Sequence, residues 1–146
     1  TVLCFDLKDS TMKSLEKFDE AGYTDSISTD RLFLTKENNP DFASVVYSIN
    51  KRDDNTEIGH ISVKCNGIME YMIYEGFKGN GYGSEALSKI IECTNINELF
   101  IILRRDNEIS RETVVSVGFL PIETNDSTVT YRYRKPNKTL KKVINT

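Results

Sequence analysis

The sequence is poor in the residues that build metal sites and disulfide frameworks. It contains one histidine, and its three cysteines (Cys4, Cys65 and Cys93) are widely separated, with no Cys-x-x-Cys pair. Zinc sites and disulfide scaffolds need several such side chains at short spacings. We therefore expect no metal, reduced thiols and a cytoplasmic setting.

Long apolar runs and a general excess of basic residues are also missing. No apolar run approaches the roughly 20 residues of a membrane-spanning helix, and the N-terminus lacks a signal-peptide pattern. Residues 132–142 hold six basic residues and no acidic ones, which leaves 13 basic and 22 acidic residues in 1–131. Nucleic-acid binding usually needs a basic face. The expected partners therefore include neither a membrane nor a nucleic acid.

The remaining pattern predicts one mixed domain. The 146 residues are enough for one core and too few for two, so we assign 1–146 to a single domain. Its basic tail at 135–146 is expected to be partly disordered. Residues 25–30 look turn-like, and Asn66-Gly67 is a hairpin signal. Apolar, β-rich runs predict strands at 2–7, 31–35, 42–49, 57–64, 68–74, 99–103, 121–123 and 128–134.

Three helices are predicted between these strands. The first covers about 11–21 and the second 84–93, where apolar residues recur at helical spacing. The third begins after Asn107, places Ile109, Thr113, Val114 and Val117 on one side, and ends at Gly118. Since a helix separates 68–74 from 99–103, these two strands should run parallel.

The chain is organised around residues 68–87, a strand followed by a glycine-rich turn and a helix. Lys78-Gly79-Asn80-Gly81-Tyr82-Gly83 places three glycines at alternate positions. The first N–H groups of a helix are unpaired, and the helix dipole adds roughly half a positive charge there. Glycines let the backbone approach an anion closely. This stretch therefore predicts a phosphate-bearing ligand at 78–84.

The turn and the residues after it resemble a known family. Lys78-x-x-Gly81-x-Gly83, followed by Asn107, Ser110 and Gly118-Phe119, is similar to the GNAT superfamily of acetyl-CoA-dependent N-acetyltransferases over about residues 57–134. Glu70-Tyr-Met-Ile and Gly-Tyr-Gly-Ser-Glu-Ala-Leu resemble the subgroup that includes ribosomal-protein N-terminal acetyltransferases. A dinucleotide-binding turn is disfavoured because an antiparallel meander precedes the glycines.

The resemblance implies a fold, a co-substrate and binding residues. The fold would be α+β, with a mixed, mostly antiparallel sheet of about six to seven strands, a splayed parallel pair in the middle and three to four flanking helices. Acetyl-CoA would donate acetyl to a primary amine by direct attack, without a metal. The implied coenzyme-binding residues are Met72, Ile73, Lys78, Gly79, Asn80, Gly81, Tyr82, Gly83, Ser84, Asn107 and Ser110.

Three residues near the predicted acetyl position carry side chains that can act as general acids or bases. Glu70 is the preferred general base, with a solvated carboxylate as the alternative reading; Tyr71 is either a catalytic phenol or a packing aromatic. His60 is a secondary candidate, because a lone histidine on a strand is more often structural.

The sequence also departs from the family pattern. Many members have a tyrosine where this chain has Val114, and residues 36–41 leave no room for the usual helix pair of the acceptor pocket. Three alternatives remain for the acceptor pocket. The helix at 11–21 forms it, the pocket is reduced, or a second copy of the chain completes it in a homodimer. The acidic body favours a small-molecule or peptide amine. The alternative function is an inactive sensor or scaffold that binds coenzyme A.

Overall fold

The computed structural model describes residues 23–38 and 43–136. Within these ranges the chain forms two helices, α1 (Tyr82–Cys93) and α2 (Glu108–Val117). It also forms eight strands: β1 (Ser26–Ser28), β2 (Leu32–Lys36), β3 (Ser44–Lys51), β4 (Glu57–Lys64), β5 (Met69–Ile73), β6 (Glu98–Arg104), β7 (Leu120–Thr124) and β8 (Thr128–Arg134).

The first five strands form one antiparallel sheet in chain order. Side chains alternate across each strand, so apolar residues at every second position face the core. Leu32 and Leu34 in β2 and Tyr47 in β3 are fully buried for this reason. The hairpin signal is confirmed, because Gly67 lies between β4 and β5 with φ of 92°.

A second sheet has the order β6-β8-β7 and is also antiparallel. A single parallel bridge from Ile68 to Phe100 joins the two sheets, with the Phe100 N–H donating to the Gly67 carbonyl at 2.9 Å. Beyond that bridge β5 and β6 are not paired. The two strands run parallel at this bridge, as expected, but they belong to two sheets rather than to one. Their separation leaves one edge of β5 open.

The two helices pack differently. Helix α1 buries Ala86, Leu87, Ile90 and Ile91, as its spacing predicts. Helix α2 begins at its predicted cap, Asn107, and ends at Gly118, but Val114 is its only buried residue. Ile109, one of the four apolar positions predicted on one side of this helix, is 61% exposed and lines a cleft together with Thr113.

Several other predictions need correction. Residues 25–30 contain strand β1, because Ile27 pairs with Leu34 and is buried. The mixed α+β fold is as expected, but residues 23–38 and 43–136 form eight strands in two sheets, where about six to seven strands in one sheet were predicted. Cys65 is disulfide-bonded and Cys93 is free, so the expectation of reduced thiols is correct for Cys93 and wrong for Cys65.

Two predicted elements, at 2–7 and 11–21, lie outside the described residues. The tail prediction lies mostly outside them too, but Lys135 is held in place by its Nζ, which donates to the Thr94 carbonyl at 2.6 Å. Neither helix in the described part of the chain has the length and apolar character needed to cross a membrane.

Candidate active site

A cleft of about 250 Å³ lies where the end of β5 meets the start of α1 and the first turns of α2. The edge of β5 that does not pair with β4 opens into this cleft. Its lining consists of Tyr71, Met72, Ile73, Phe77, Lys78, Gly79, Gly81, Tyr82, Gly83, Ser84, Asn107, Ile109, Ser110 and Thr113. Most of the residues predicted from the glycine turn and from the downstream motif therefore meet in one cleft.

The glycine turn has the backbone shape that its sequence predicts. Gly79 and Gly81 have φ values of 82° and 80°, a region that side-chain-bearing residues rarely adopt. Gly81 is the residue preceding α1, and no side chain caps the helix there. The first amides of α1 at Tyr82, Gly83 and Ser84 consequently remain available to an anionic group in the cleft.

Gly83 has a different reason to be glycine. A Cβ built on it would lie 3.1 Å from Cε2 of Tyr71 and 3.6 Å from Cγ2 of Thr113. Gly83 is thus needed for helix α1 to pack closely against β5 and α2, rather than for an unusual φ. The third glycine of the motif is a packing residue that brings Tyr71 to the wall of the cleft.

The phenol of Tyr71 lies against the hydroxyl groups of Ser110 and Thr113 in α2. Burial raises the pKa of Tyr71, and the two neighbouring hydroxyls oppose this effect only in part. A phenol is protonated at neutral pH already at its ordinary pKa of 10.0, and the raised pKa keeps it so, which makes Tyr71 a hydrogen-bond donor. Thr113 was not among the predicted site residues, although its i, i+3 spacing from Ser110 places both on one helix face.

Asn107 and Ser110 are joined at the start of α2. The Asn107 Oδ1 accepts a hydrogen bond from the Ser110 N–H at 3.3 Å. This cap holds both polar residues at the mouth of the cleft. The half-buried Phe77 and the exposed Ile109 add apolar surface to the cleft, and neither was predicted as a site residue.

Three predicted residues do not line the cleft. The Glu70 carboxylate is exposed and lies 3.3 Å from the Lys64 Nζ, on the strand face opposite Tyr71 and Ile73. His60 pairs with Met72 across β4 and β5 and packs its ring edge against Tyr74. Asn80 shapes the turn, because its Nδ2 donates to the Phe77 carbonyl at 3.0 Å.

Sequence reasoning also missed a set of contacts behind the glycine turn. Glu85, in the first turn of α1, accepts hydrogen bonds from the Thr29 hydroxyl, from the Arg31 backbone N–H at 3.0 Å and from the Arg31 Nε at 2.7 Å. The Arg31 Nη1 donates to the Asn80 carbonyl at 2.9 Å. The Arg31 guanidinium also lies 4.6 Å from the centre of the Tyr82 ring.

These contacts predict a pH dependence of stability. Partial burial tends to raise the pKa of Glu85, but the hydrogen bonds from Thr29 and Arg31 outweigh it, and the pKa is lowered. A lowered carboxyl pKa stabilises the fold above the ordinary value of about 4.5, and this stabilisation is lost as the pH falls through the folded-state pKa. Glu85→Gln should therefore have a lower Tm than wild type at neutral pH. The difference between the two Tm values should become smaller in acid.

Calorimetric Tm values between about pH 3 and pH 7 check this prediction. Glu92→Gln is the matched control, because Glu92 is exposed on the same helix and its ion pair within the described residues is with Lys89, at 3.6 Å. A Glu85→Gln deficit that stays constant across the pH range would contradict the prediction.

Comparison with known proteins agrees with this geometry. The family model described as an acetyltransferase (GNAT) domain matches residues 8–120. No curated protein sequence matches the chain. Among solved structures, an acetyltransferase from Agrobacterium tumefaciens is similar at a TM-score of 0.66 and 16% identity, with 77% of this chain and 96% of that chain covered.

Two further solved structures are similar over a smaller part. RimL, a ribosomal α-N-protein acetyltransferase solved with coenzyme A, gives a TM-score of 0.56 at 19% identity, with 64% of this chain and 63% of that chain covered. The microcin self-immunity acetyltransferase MccE, solved with acetyl-CoA and AMP, gives 0.54 at 18% identity, with 63% and 61% covered. The family match spans most of the chain and contains the whole cleft, so the protein belongs to the GNAT acetyltransferase family and is an acyltransferase.

Proposed function

We propose that this protein is an N-acetyltransferase that moves acetyl from acetyl-CoA to a primary amine. The observation that carries the proposal is the uncapped start of α1, which opens into the same cleft as the free edge of β5. Acetyl-CoA supplies the activated acetyl group. The solved relatives that contain coenzyme A or acetyl-CoA support this choice of co-substrate.

The glycine turn would bind the pyrophosphate. The amides of residues 78–84 provide neutral donors at a helix start, and Lys78 adds a positive charge beside them. The Lys78 Nζ now lies 3.3 Å from the exposed Glu75 carboxylate, a weak surface pair that an anionic ligand can replace. Asn80 would act indirectly by holding the turn, while Asn107 and Ser110 would bind the pantetheine or adenosine portion.

Strand alternation identifies which backbone groups of β5 face the gap. The Lys64 N–H donates to the Ile68 carbonyl at 2.9 Å and the Tyr74 N–H to the Ile58 carbonyl at 2.8 Å, so the even-numbered residues of β5 are directed to β4. The backbone groups of Tyr71 and Ile73 are then directed to the open edge. We therefore assign the amide that polarises the thioester carbonyl to Ile73 rather than Met72.

Tyr71 is the proposed proton donor to the departing sulfur. The position where many family members carry a tyrosine is Val114, which is fully buried and does not line the cleft, whereas Tyr71 lines it from β5. The phenol carries its proton at neutral pH, since its ordinary pKa is 10.0 and burial raises the pKa further. General acids of this kind contribute typically 10²–10⁴-fold to a rate.

Replacing this phenol should separate catalysis from binding. For Tyr71→Phe we expect kcat to fall about 10²-fold, with the Kd of coenzyme A unchanged, because the ring remains in place. Steady-state kinetics and calorimetric titration measure the two quantities. Tyr74→Phe is the matched control, since the Tyr74 hydroxyl bonds Glu57 at 2.7 Å and does not line the cleft. Equal losses in the two variants would refute the assignment.

The acceptor would approach from the other face of β5, where Glu70, His60 and the side chain of Met72 lie. Glu70 is the proposed base for the amine proton, directly or through water. Glu70→Gln should then lower kcat about 10²-fold. Glu123→Gln, an exposed change on β7, is its control; an unaltered kcat in Glu70→Gln would remove Glu70 from the mechanism.

Two measurements test the proposal as a whole. Acetyl-CoA should raise Tm in a concentration-dependent way, and no stabilisation by acetyl-CoA or coenzyme A would refute coenzyme binding. Release of free thiol with a panel of peptide amines, polyamines and aminoglycosides then tests transfer. Binding without thiol release would favour the sensor or scaffold, which the replacement of the family's tyrosine by Val114 also favours.

A further inference from the structure

The turn between β1 and β2 is coupled to the glycine turn through one side chain. Arg31 is the last residue before β2, and its guanidinium spans the Glu85 carboxylate, the Asn80 carbonyl and the Tyr82 ring. These three contacts lie on successive parts of the glycine turn and α1. Arg31 does not line the cleft, so it acts on the turn from behind.

We propose that Arg31 is a positioning residue for the coenzyme, which holds the glycine turn in its anion-binding shape and compensates the charge of Glu85. The inference rests on the proposed function. The sequence pattern predicts only that Arg31 begins a strand.

The guanidinium of Arg31 restricts the conformation of the glycine turn. Its Nε and Nη1 are fixed by separate acceptors, and its Nη2 lies 3.4 Å from where a Cβ of Gly81 would be. A planar guanidinium with several fixed donors limits how far the Asn80–Gly81 peptide can rotate. Lysine keeps the charge but cannot satisfy both acceptors in the same geometry.

Arg31 also compensates the negative charge of Glu85 at the start of α1. Glu85 lies in the first turn of α1, close to the amides proposed to bind pyrophosphate. An uncompensated carboxylate there would repel an anionic ligand. The ion pair with Arg31, at 2.7 Å, removes this penalty before the ligand arrives.

A double-mutant cycle on the full chain separates these effects. The Kd of coenzyme A should rise about fivefold in Arg31→Ala, and less in Arg31→Lys, which keeps the charge. Arg31→Ala combined with Glu85→Gln should bind more tightly than Arg31→Ala alone, because the repelling charge is gone. In steady-state assays the KM for acetyl-CoA should rise with kcat unchanged.

Arg52→Ala is the matched structural control. The Arg52 Nη1 donates to the Thr29 carbonyl of the same turn at 2.7 Å, and none of its contacts among the described residues reaches the glycine turn. This variant should lower Tm with the Kd of coenzyme A unchanged.

Three results would overturn the inference: Arg31→Ala with a wild-type Kd, a double variant that binds no better than Arg31→Ala, or an equal change of Kd in Arg52→Ala. A wild-type protein that does not bind coenzyme A would refute the proposed function as well. If Arg31→Ala does not fold, the Kd of Arg31→Lys relative to wild type decides in its place.

Discussion

Gly81→Glu should raise the Kd of coenzyme A by at least about 100-fold while the protein remains folded. The change adds a negative charge at the residue that precedes the uncapped amides of α1, and its Cβ would lie 3.4 Å from the Arg31 Nη2, so the added charge and the displacement of the glycine turn both oppose phosphate binding. Gly81 has φ of 80°, so the substitution also costs about 1–2 kcal/mol of backbone strain. Titration calorimetry below the variant's Tm measures the affinity.

Gly76→Glu is the control that distinguishes damage to the anion site from the effect of backbone strain. Gly76 also has a left-handed φ, of 96°, and a Cβ there would have no neighbour within 4 Å. It does not line the cleft. This control should lose similar stability but keep its affinity within about threefold. If Gly76→Glu loses as much affinity as Gly81→Glu, backbone strain and not the anion site explains the effect.

Gly59→Ala should destabilise the protein by about 3 kcal/mol. A Cβ on Gly59 would lie 2.1 Å from the carbonyl oxygen of Met72 and 3.1 Å from the Cα of Ile73. Both atoms belong to the backbone of β5, so the clash cannot be relieved by a side-chain rotation. Strand β4 or β5 must move, and the open edge of β5 moves with it. Affinity for coenzyme A should therefore fall together with stability.

Gly76→Ala is the control, because it adds the same methyl group to open space and costs only its backbone preference, about 1 kcal/mol. Urea unfolding measures the difference in free energy between the two variants. If Gly59→Ala destabilises no more than Gly76→Ala, β5 does not approach β4 as closely as the structure shows.

The sequence was most informative where local chemistry determines the conformation. Alternating glycines after a strand predicted a backbone that opens towards an anion, and Gly79 and Gly81 have the required left-handed conformation. Asn107 predicted a helix start and caps α2. In both cases the residue type itself limits what the backbone can do, so no knowledge of distant contacts is needed.

Features that depend on distant contacts were not predictable. Nothing near Arg31 in the sequence indicates that it contacts Glu85, which lies 54 positions away. Gly83 looked like a third phosphate-binding glycine, whereas its missing Cβ makes room for Tyr71. Strand β1 is short and mostly polar and is recognised only through the pairing of Ile27 with Leu34.

Backbone amide shifts during a titration with acetyl-CoA test the central claim most directly. At 16.7 kDa the protein is suited to two-dimensional nitrogen–proton NMR. The account predicts that the largest shifts fall on residues 78–84 and on Tyr71 and Ile73, with smaller shifts at Asn107 and Ser110. Shifts confined to β7 and β8, or no shifts at saturating acetyl-CoA, would contradict it.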